Sequence, residues 1–433
     1  MTSSGIATAR RMKPTVQLAP PTAAFSSDYA NGFIFWSLLA YMTTLVFEGP
    51  LRYTLSSIGL GTLIYLRDLL GASCIFVGVF WAVRVRRNIY DPLVVTVYFL
   101  VMFALLGLLI QEVTIFSTAF GIKIYAVLIF GIAAAEGVTQ HRKTFERAIL
   151  LFGLASSLGV LINYAVGKLP WEALTYETAF GIVSTTKEWW AEGERRLSGF
   201  ARASFDAAMV IGLSAGLILP TKNRLYVATI GSLFLASVYL TTSKSMILAV
   251  ALLIAWLLFT PQRFRHRTGL FICTCFLLLM ICLPAISCTF EFNEQLMYQV
   301  PHGLSSFIER IVSMWPKSCA ILNSPYSWIF GGGIGSIGVP QQYMRLTGGY
   351  SSGDNLFVYL YVSGGLVWAT AFIYSYVKSI REKSFALFDR DVFTGLTMII
   401  MVYGFTTNMI EQPFFSLVAG LLVSNIWLKH GSK

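Results

Sequence analysis

Long apolar stretches recur along most of this chain, and they constrain its fold more than any other feature. Successive apolar runs of roughly 17–22 residues match the ~30 Å hydrocarbon core of a bilayer. Only 12% of the 433 residues are charged, which is about half the fraction typical of a soluble domain. The short alternating segments of a membrane β-barrel are not visible. The sequence therefore predicts an all-α polytopic integral membrane protein.

The apolar runs can be threaded as about twelve transmembrane helices with both termini in the cytoplasm. Residues 52–83 fit either one or two spans, because Arg67 and Asp68 interrupt them. We predict one span, since two would place the basic cluster Arg84–Arg87 outside. Arg67 and Asp68 then lie near the outer boundary, where they neutralise each other or help to line an outward-facing site. The predicted spans are 29–47, 63–83, 93–110, 117–136, 148–166, 205–220, 225–241, 245–259, 268–286, 355–377, 391–408 and 413–428.

The formal net charge of +11 invites a nucleic-acid-binding function, but the distribution of the basic residues argues against it. They cluster between apolar runs and, in this threading, on the cytoplasmic side, as the positive-inside rule requires. We expect membrane lipids and no nucleic acid as partners. Residues 1–28 are rich in Ser, Thr and Pro, and we expect a disordered cytoplasmic tail there. Residues 29–433 form the predicted transmembrane domain.

Two segments contain most of the polar groups that lie away from lipid, namely residues 167–204 and 287–354. Both fall on the outer side of the predicted topology. The first contains Arg195, Arg196 and Arg202, just before a predicted span. Guanidinium groups bind phosphate oxygens in a bidentate manner, and the start of a helix adds a favourable dipole. Pairing with nearby glutamates or lipid headgroups is the structural alternative. We expect Ser204 to cap the following helix and Asp206 to lie in its first turn.

The second segment contains an amphipathic stretch and a glycine cluster. Its apolar side chains recur at helical spacing from Leu304 to Trp315, with Arg310 on the flank of the stripe. An interfacial helix would hold Arg310 toward a bound headgroup, or Arg310 would simply snorkel. Residues Gly333–Gly338 match a dinucleotide fingerprint by letter only, because no βαβ unit surrounds them. We predict a flexible turn that lets the backbone approach its neighbours.

Asp354 and Asn355 precede the next span. The aspartate is either a helix cap or a general base at the membrane surface, beside arginines that bind a leaving group. Lys123 lies near the outer end of a span and Lys244 at an outer turn, and a basic residue at either place could contact phosphate. Cys288 and Cys319 both lie outside, where a disulfide could form. No spacing suggests a metal site.

Several of these pieces together resemble the bacterial O-antigen polymerase and O-antigen ligase superfamily of membrane glycosyltransferases. The resemblance covers approximately residues 150–375 and extends more loosely to the overall topology. The residues that carry it are Arg196–Gly199 before a helix, Thr242–Ser245 between two spans, Arg310 with Trp315, Phe330–Gly335, and Asp354–Tyr359 followed by Gly364–Leu366.

The resemblance implies a GT-C-like fold with two large periplasmic loops in the bacterial inner membrane. It implies transfer of a glycan from undecaprenyl pyrophosphate, without metal or cofactor. The acceptor is another lipid-linked repeat unit (polymerase) or lipid A–core (ligase), and a chain-length regulator and a flippase are implied partners. Ligases have a histidine where this chain has Asp354, which favours the polymerase. A flippase or transporter would need polar residues through the middle of several spans.

We therefore expect a periplasmic site with two sets of residues. The expected catalytic residues are Asp354, Arg310 and Arg196. Those expected to bind pyrophosphate or glycan are Arg195, Arg202, Lys244, Asn355, His302, Arg345 and Lys123.

Overall fold

A computed structural model of the protein describes residues 21–85, 91–111, 113–178, 181–191, 193–290, 292–293, 300–344, 351–381 and 387–427. These residues form a helical bundle with two small β-hairpins. Eight helical segments of the described chain are long and apolar enough to cross a membrane. The chain is thus an all-α polytopic membrane protein, as the sequence predicts.

The eight long segments include a single span over residues 61–84, as predicted, in which short 3₁₀ and π turns flank α3. The first helix begins at Pro21, before the expected boundary at residue 28. The helices in these segments are α1 (Pro21–Val46), α3 (Leu66–Phe80), α4 (Pro92–Ile110), α5 (Ile115–Gln140), α6 (Arg142–Val166), α7 (Ser204–Ile218), α10 (Gln262–Thr289) and α14 (Leu356–Arg381).

Four shorter helices complete the bundle, three of them apolar: α8 (Arg224–Leu240), α9 (Lys244–Phe259) and α16 (Pro413–Trp427). The fourth is α15 (Arg390–Gly404). The remaining elements lie in the connections: α2 (Glu48–Ser57), β1 (Thr175–Thr178), β2 (Gly181–Ser184), β3 (Trp189–Ala191), β4 (Glu194–Arg196), α11 (His302–Glu309), α12 (Trp315–Cys319) and α13 (Pro325–Phe330).

The centre of the bundle is built on α7 and α15, whose side chains are almost all buried. Around them, helices approach closely where small residues face each other. A methyl group at Gly131 of α5 or at Gly420 of α16 would collide with the backbone of the other helix. Such small-residue contacts are typical of helix packing in membranes, where apolar burial between helices gives little driving force.

Ser204 does not cap α7. The N-cap position is Ala203, and no side chain accepts a hydrogen bond from the first turn. Asp206 does lie in that first turn, as expected. The prediction for Ser204 was wrong by one residue, because α7 begins at the serine itself.

Helix α14 is broken at Gly365, within its first half, and the break shapes the second loop segment. Gly365 has φ +61° and ψ −153°, a conformation open to glycine but not to residues with a Cβ. The carbonyls of Val362 and Ser363 therefore lose their helical partners. They accept the N–H groups of Gly332 (2.7 Å) and Gly333 (3.1 Å) instead. The glycine loop, residues 331–338, thus closes the gap in the helix.

The glycine loop is buried throughout. On α5, the Ser117 hydroxyl contacts the carbonyls of Gly335 (2.7 Å) and Pro340 (2.8 Å). The close backbone approach that the sequence predicts is present. The loop is, however, packed between helices rather than exposed as a free turn.

Candidate functional site

The two polar segments reach the same end of the bundle and meet at residues 405–412, between α15 and α16. From the second segment, Arg310 Nε donates to the Thr406 carbonyl at 2.9 Å. From the first, Lys187 is close enough to Glu411 to affect the ionisation of that carboxyl. We call this end of the bundle the loop face.

Arg310 is held by three acceptors on the loop face. Besides Thr406, its Nη1 donates to the Ser306 carbonyl at 2.6 Å, and its Nη2 forms an ion pair with Asp354 Oδ2 at 3.2 Å. Arg310 begins a π-helical turn that ends at Met314, and such turns are frequent at functional sites. Arg310 is therefore an oriented donor and not a snorkelling side chain.

The π turn also interrupts the predicted apolar stripe. Leu304 is 53% exposed, whereas Trp315 is completely buried. The Trp315 ring packs near Phe307 and Phe405, and its indole N–H donates to the Asp354 carbonyl at 3.3 Å. The far end of the stripe therefore belongs to the protein core, against which Phe307 and Ile311 also pack.

Asn355, not Asp354, caps α14. The Asn355 Oδ1 accepts the Val358 N–H at 3.0 Å. Its Nδ2 donates to the carbonyls of Met280 (3.1 Å) and Phe405 (3.0 Å), and the residue is completely buried. This arrangement gives Asn355 a structural role. It leaves Asp354 Oδ1 without a hydrogen-bond donor among the described residues.

Glu411 lies between the glycine loop and α14. Its Oε1 accepts the Val339 N–H at 2.7 Å and the Tyr359 hydroxyl at 3.4 Å. A Cβ at Gly338 would collide with Oε1, so the glycine allows the carboxyl to approach the loop. Burial raises the pKa of Glu411 to about 7, and Asp354 adds to the rise, whereas the two hydrogen bonds and Lys187 oppose it.

The first loop segment brings two arginines to the loop face without full pairing. The Nε atoms of Arg196 and Arg202 are buried and have no acceptor within the described ranges. Neither guanidinium forms an ion pair with a described carboxylate. By contrast, Arg195 pairs with Glu172 at 2.5 Å and donates to the Gly167 carbonyl at 2.7 Å. Arg195 therefore braces its own loop.

The separation of Arg195 from Arg196 follows from the β-hairpin. In the β3–β4 pair, Trp189 is opposite Arg196 and Trp190 is opposite Arg195. Because adjacent residues of a strand point to opposite faces, Arg195 and Arg196 diverge. The Trp189 ring packs against Phe205 of α7, and Lys187 lies over that ring at 6.0 Å from its centre.

Glu48 at the start of α2 anchors a buried cluster of charges. It contacts Arg52 at 2.6 Å and Arg67 at 2.8 Å. Burial alone would raise the pKa of Glu48, but Arg67, Arg52 and Arg202 outweigh it and lower the pKa to about 2. One carboxylate thus faces three guanidinium groups. Arg52 and Arg67 donate hydrogen bonds to the two carboxylate oxygens of Glu48. Arg202 lies near this negative charge but forms no ion pair with Glu48.

The Arg67–Asp68 pair is only part of this larger cluster. Arg67 Nε lies 3.7 Å from Asp68, but each residue has a closer partner elsewhere. Lys123 Nζ forms an ion pair with Asp68 at 2.7 Å. The lysine that the sequence analysis expects to bind phosphate is thus paired with a carboxylate of the protein. Arg52 also donates to the Tyr176 hydroxyl in β1 at 2.9 Å, which ties α2 to the first hairpin.

The Lys187 ammonium group lies in an environment that disfavours its charge. Burial lowers the pKa of its ammonium group and Arg202 lowers it further, whereas Asp206, Glu411 and Glu48 oppose the change. The charges that act on Lys187 thus come from the first polar segment, from the start of α7, from the start of α2 and from the connection between α15 and α16. It links Arg202 on one side of the loop face to Glu411 on the other.

The other predicted site residues are less informative. Lys244 is exposed at the start of α9, directly after the turn of Thr242 and Ser243. His302 begins α11, and nothing is described of its side chain. Arg345 lies outside the described residues. Cys288 and Cys319 form a disulfide that ties the end of α10 to α12.

Three residues of the loop face escaped the sequence analysis: Glu48, Arg52 and Glu411. Glu48 and Arg52 are spaced i, i+4, which is a signal for a helical ion pair. Glu411 has no such signal, because its contacts at Val339 and Tyr359 come from distant parts of the chain.

Within the described ranges, no three His, Cys, Asp or Glu side chains lie close enough to hold a metal ion. A small cavity at the opposite end of the bundle, lined in part by Asn31, Asp91 and Glu136, contains none of the loop-face residues. Comparison of the chain with protein-family models, curated proteins and solved structures gave no match.

Proposed function

We propose that this protein is a bacterial polysaccharide polymerase of the inner membrane. In this proposal all twelve helices α1, α3–α10 and α14–α16 cross the bilayer, and the loop face is periplasmic. The Cys288–Cys319 disulfide supports that orientation, because disulfides persist in oxidising compartments. The lipid-linked donor and acceptor would both reach the loop face from the outer leaflet.

The observation that carries the proposal is the set of incompletely paired guanidinium groups on the loop face. Arg196 and Arg202 each have a buried Nε for which the described part of the chain offers no acceptor. Leaving such a donor unsatisfied costs free energy that a bound anion would return. Arg310, oriented by Asp354, adds a third guanidinium from the other segment. A pyrophosphate has oxygens on several sides, and it could therefore accept hydrogen bonds from arginines of both polar segments at once.

In the proposed reaction, a hydroxyl of the acceptor repeat attacks the anomeric carbon of the donor glycan. The bond from that carbon to the pyrophosphate oxygen breaks, and the arginines stabilise the negative charge that develops on the leaving group. The hydroxyl proton passes to a carboxylate of the site, for which the sequence favours Asp354. The elongated glycan remains on the lipid of the acceptor.

Polymerisation is tested in the source strain after deletion of the gene. The deletion strain also provides the substrate, because it accumulates the lipid-linked repeat. Purified protein in proteoliposomes is given that extract, and the products are separated by gel electrophoresis. Wild-type protein is expected to produce a ladder of lengths. Arg196→Ala and Arg202→Ala are each expected to lower the initial rate about 10²–10³-fold. Arg224→Ala, an exposed arginine at the start of α8, is the matched control.

The outcomes separate the competing functions. Loss of the ladder in the arginine variants, with wild-type expression, would support the polymerase. Full-length chains on undecaprenyl pyrophosphate that fail to reach lipid A in the deletion strain would instead identify a ligase. Repeats confined to the inner leaflet would identify a flippase. A normal ladder from both arginine variants would refute this assignment of the site.

A further inference from the structure

We infer that Glu411, rather than Asp354, accepts the proton of the acceptor hydroxyl. This inference rests on the proposed glycosyl transfer and assigns a further residue to it. It starts from the different surroundings of the two carboxylates on the loop face. Asp354 is bound to a cation, whereas Glu411 is held by neutral donors.

Asp354 has an orienting role that protonation would disrupt. Its Oδ2 forms the ion pair with Arg310 Nη2 at 3.2 Å, and among the described residues the other acceptors of Arg310 are the carbonyls of Thr406 and Ser306. A proton on Asp354 would remove the charge that directs this guanidinium. Arg310 would lose its orientation during the step in which the leaving pyrophosphate needs it.

Glu411 forms no ion pair with a basic side chain of the described residues. Both contacts, the Val339 N–H at 2.7 Å and the Tyr359 hydroxyl at 3.4 Å, use Oε1. No described residue donates a hydrogen bond to Oε2, so that oxygen is available to a substrate hydroxyl. The contact with the glycine loop fixes the direction of the carboxyl group.

The charged and titratable groups that face Glu411 come from several elements. Tyr359 of α14 donates a hydrogen bond to Glu411, Tyr125 of α5 lies near it, and the charged groups that act on it are Asp354 and Lys187. Burial, opposed by the hydrogen bonds from Val339 and Tyr359, leaves the pKa of Glu411 at about 7. A general base works best when its pKa lies near the working pH. Glu411 is thus suited both to take the proton and to release it to water.

The proposed step balances without a further reactant. The acceptor oxygen bonds to the anomeric carbon as its O–H bond breaks, and the proton goes to Glu411 Oε2. The bond between the anomeric carbon and pyrophosphate breaks, and its electron pair leaves with the pyrophosphate. Glu411 then returns the proton to water before the next transfer.

The test is the dependence of the initial elongation rate on pH, measured in proteoliposomes with the extracted lipid-linked repeat. The wild-type rate is expected to fall below a midpoint near pH 7, because the base is then protonated. Glu411→Gln keeps the shape of the side chain and an acceptor for Val339. It is expected to slow elongation about 10²–10⁴-fold and to abolish the acidic limb. Asp354→Asn is expected to slow elongation but to retain that limb.

A second variant addresses a merely structural role of Glu411. The Tyr359 hydroxyl lowers the pKa of Glu411, so Tyr359→Phe should shift the acidic limb to higher pH. Glu146→Gln, at an ion pair with Arg142 outside the loop face, is the matched control and should leave the profile unchanged.

The inference is overturned if Glu411→Gln retains the wild-type rate and acidic limb. It is also overturned if Asp354→Asn, but not Glu411→Gln, removes that limb. Failure of the wild-type protein to elongate any repeat would refute the proposed function itself, and this inference with it. Elongation by the wild type with an unaltered Glu411→Gln profile would refute the inference alone.

Discussion

Replacing Glu48 with glutamine should destabilise the fold far more than an ordinary loss of an ion pair. The Glu48 side chain is 6% exposed and contacts Arg52, which is 2% exposed, and Arg67, which is 12% exposed. Glutamine keeps the shape of the side chain but removes its charge. Arg52 is then left in a buried environment without a counter-charge among the described residues, and Arg67 keeps only the more distant Asp68 at 3.7 Å.

The pKa shift gives the size of the effect. The pKa of Glu48 falls from 4.5 to about 2 in the folded protein, because its arginines outweigh burial. A difference of about 2.5 units corresponds to about 3 kcal/mol. Removing one partner of a buried ion pair costs about 3–5 kcal/mol in other proteins, which agrees. Since the folded pKa is the lower one, this stability is fully present above pH 4.5 and is lost as pH falls toward 2.

The assay is unfolding by SDS in mixed micelles, followed by tryptophan fluorescence. We expect Glu48→Gln to lower the free energy of unfolding by about 3 kcal/mol, by the same amount at pH 6 and at pH 8. The matched control is Glu146→Gln, which removes another i, i+4 pair with arginine. That pair is 38% and 39% exposed, so its loss should cost at most about 1 kcal/mol.

A double variant tests the cause. If the cost arises from an uncompensated guanidinium, Arg52→Gln in the Glu48→Gln background should cost less than it does in the wild type. A Glu48→Gln variant no less stable than Glu146→Gln would refute the reasoning. So would strict additivity with Arg52→Gln, because it would mean that the buried charges do not interact.

Three further predictions concern stability. Cys319→Ser removes a disulfide that joins residues 31 apart in the sequence. We expect the free energy of unfolding to fall by about 3–4 kcal/mol. A reducing agent should lower the unfolding midpoint of the wild type but not that of the variant. Gly335→Ala should lower the free energy of unfolding by more than about 1 kcal/mol, because Gly335 has φ +94° and a Cβ would lie 2.5 Å from the Ser117 carbonyl oxygen. The control is Gly32→Ala, since no described atom lies within 4 Å of a Cβ added there. Equal unfolding midpoints for the two variants would contradict the prediction. The pKa of Glu411 is raised from 4.5 to about 7 in the folded protein, so its contribution to stability is present below pH 4.5 and is lost as pH rises toward 7. Glu411→Gln should therefore be more stable than the wild type at pH 8 by up to about 3 kcal/mol. The same difference in free energy of unfolding between the two proteins at pH 4 and at pH 8 would contradict this prediction.

The membrane fold could be predicted from sequence because it depends on local hydrophobicity. Each apolar run partitions into the bilayer largely by its own composition, and the backbone must then be helical. The single span over residues 61–84 follows in this way, even though Arg67 and Asp68 interrupt it. The apolar stripe beside Arg310 is also visible in the sequence, but it left open whether the side chain is held toward a bound headgroup or snorkels.

The partners of the charged residues were decided only by the tertiary structure. Arg310 meets Asp354 across 44 residues, and Glu411 meets Val339 across 72. Such contacts depend on how separate helices pack. Hydrophobicity does not determine that packing in a membrane, because lipid is as apolar as a neighbouring helix. The sequence therefore indicated which loop segments are polar. The packing decided that Arg195 is paired, that Arg196 and Arg202 have buried Nε atoms without an acceptor in the described chain, and that Glu411 reaches the loop face.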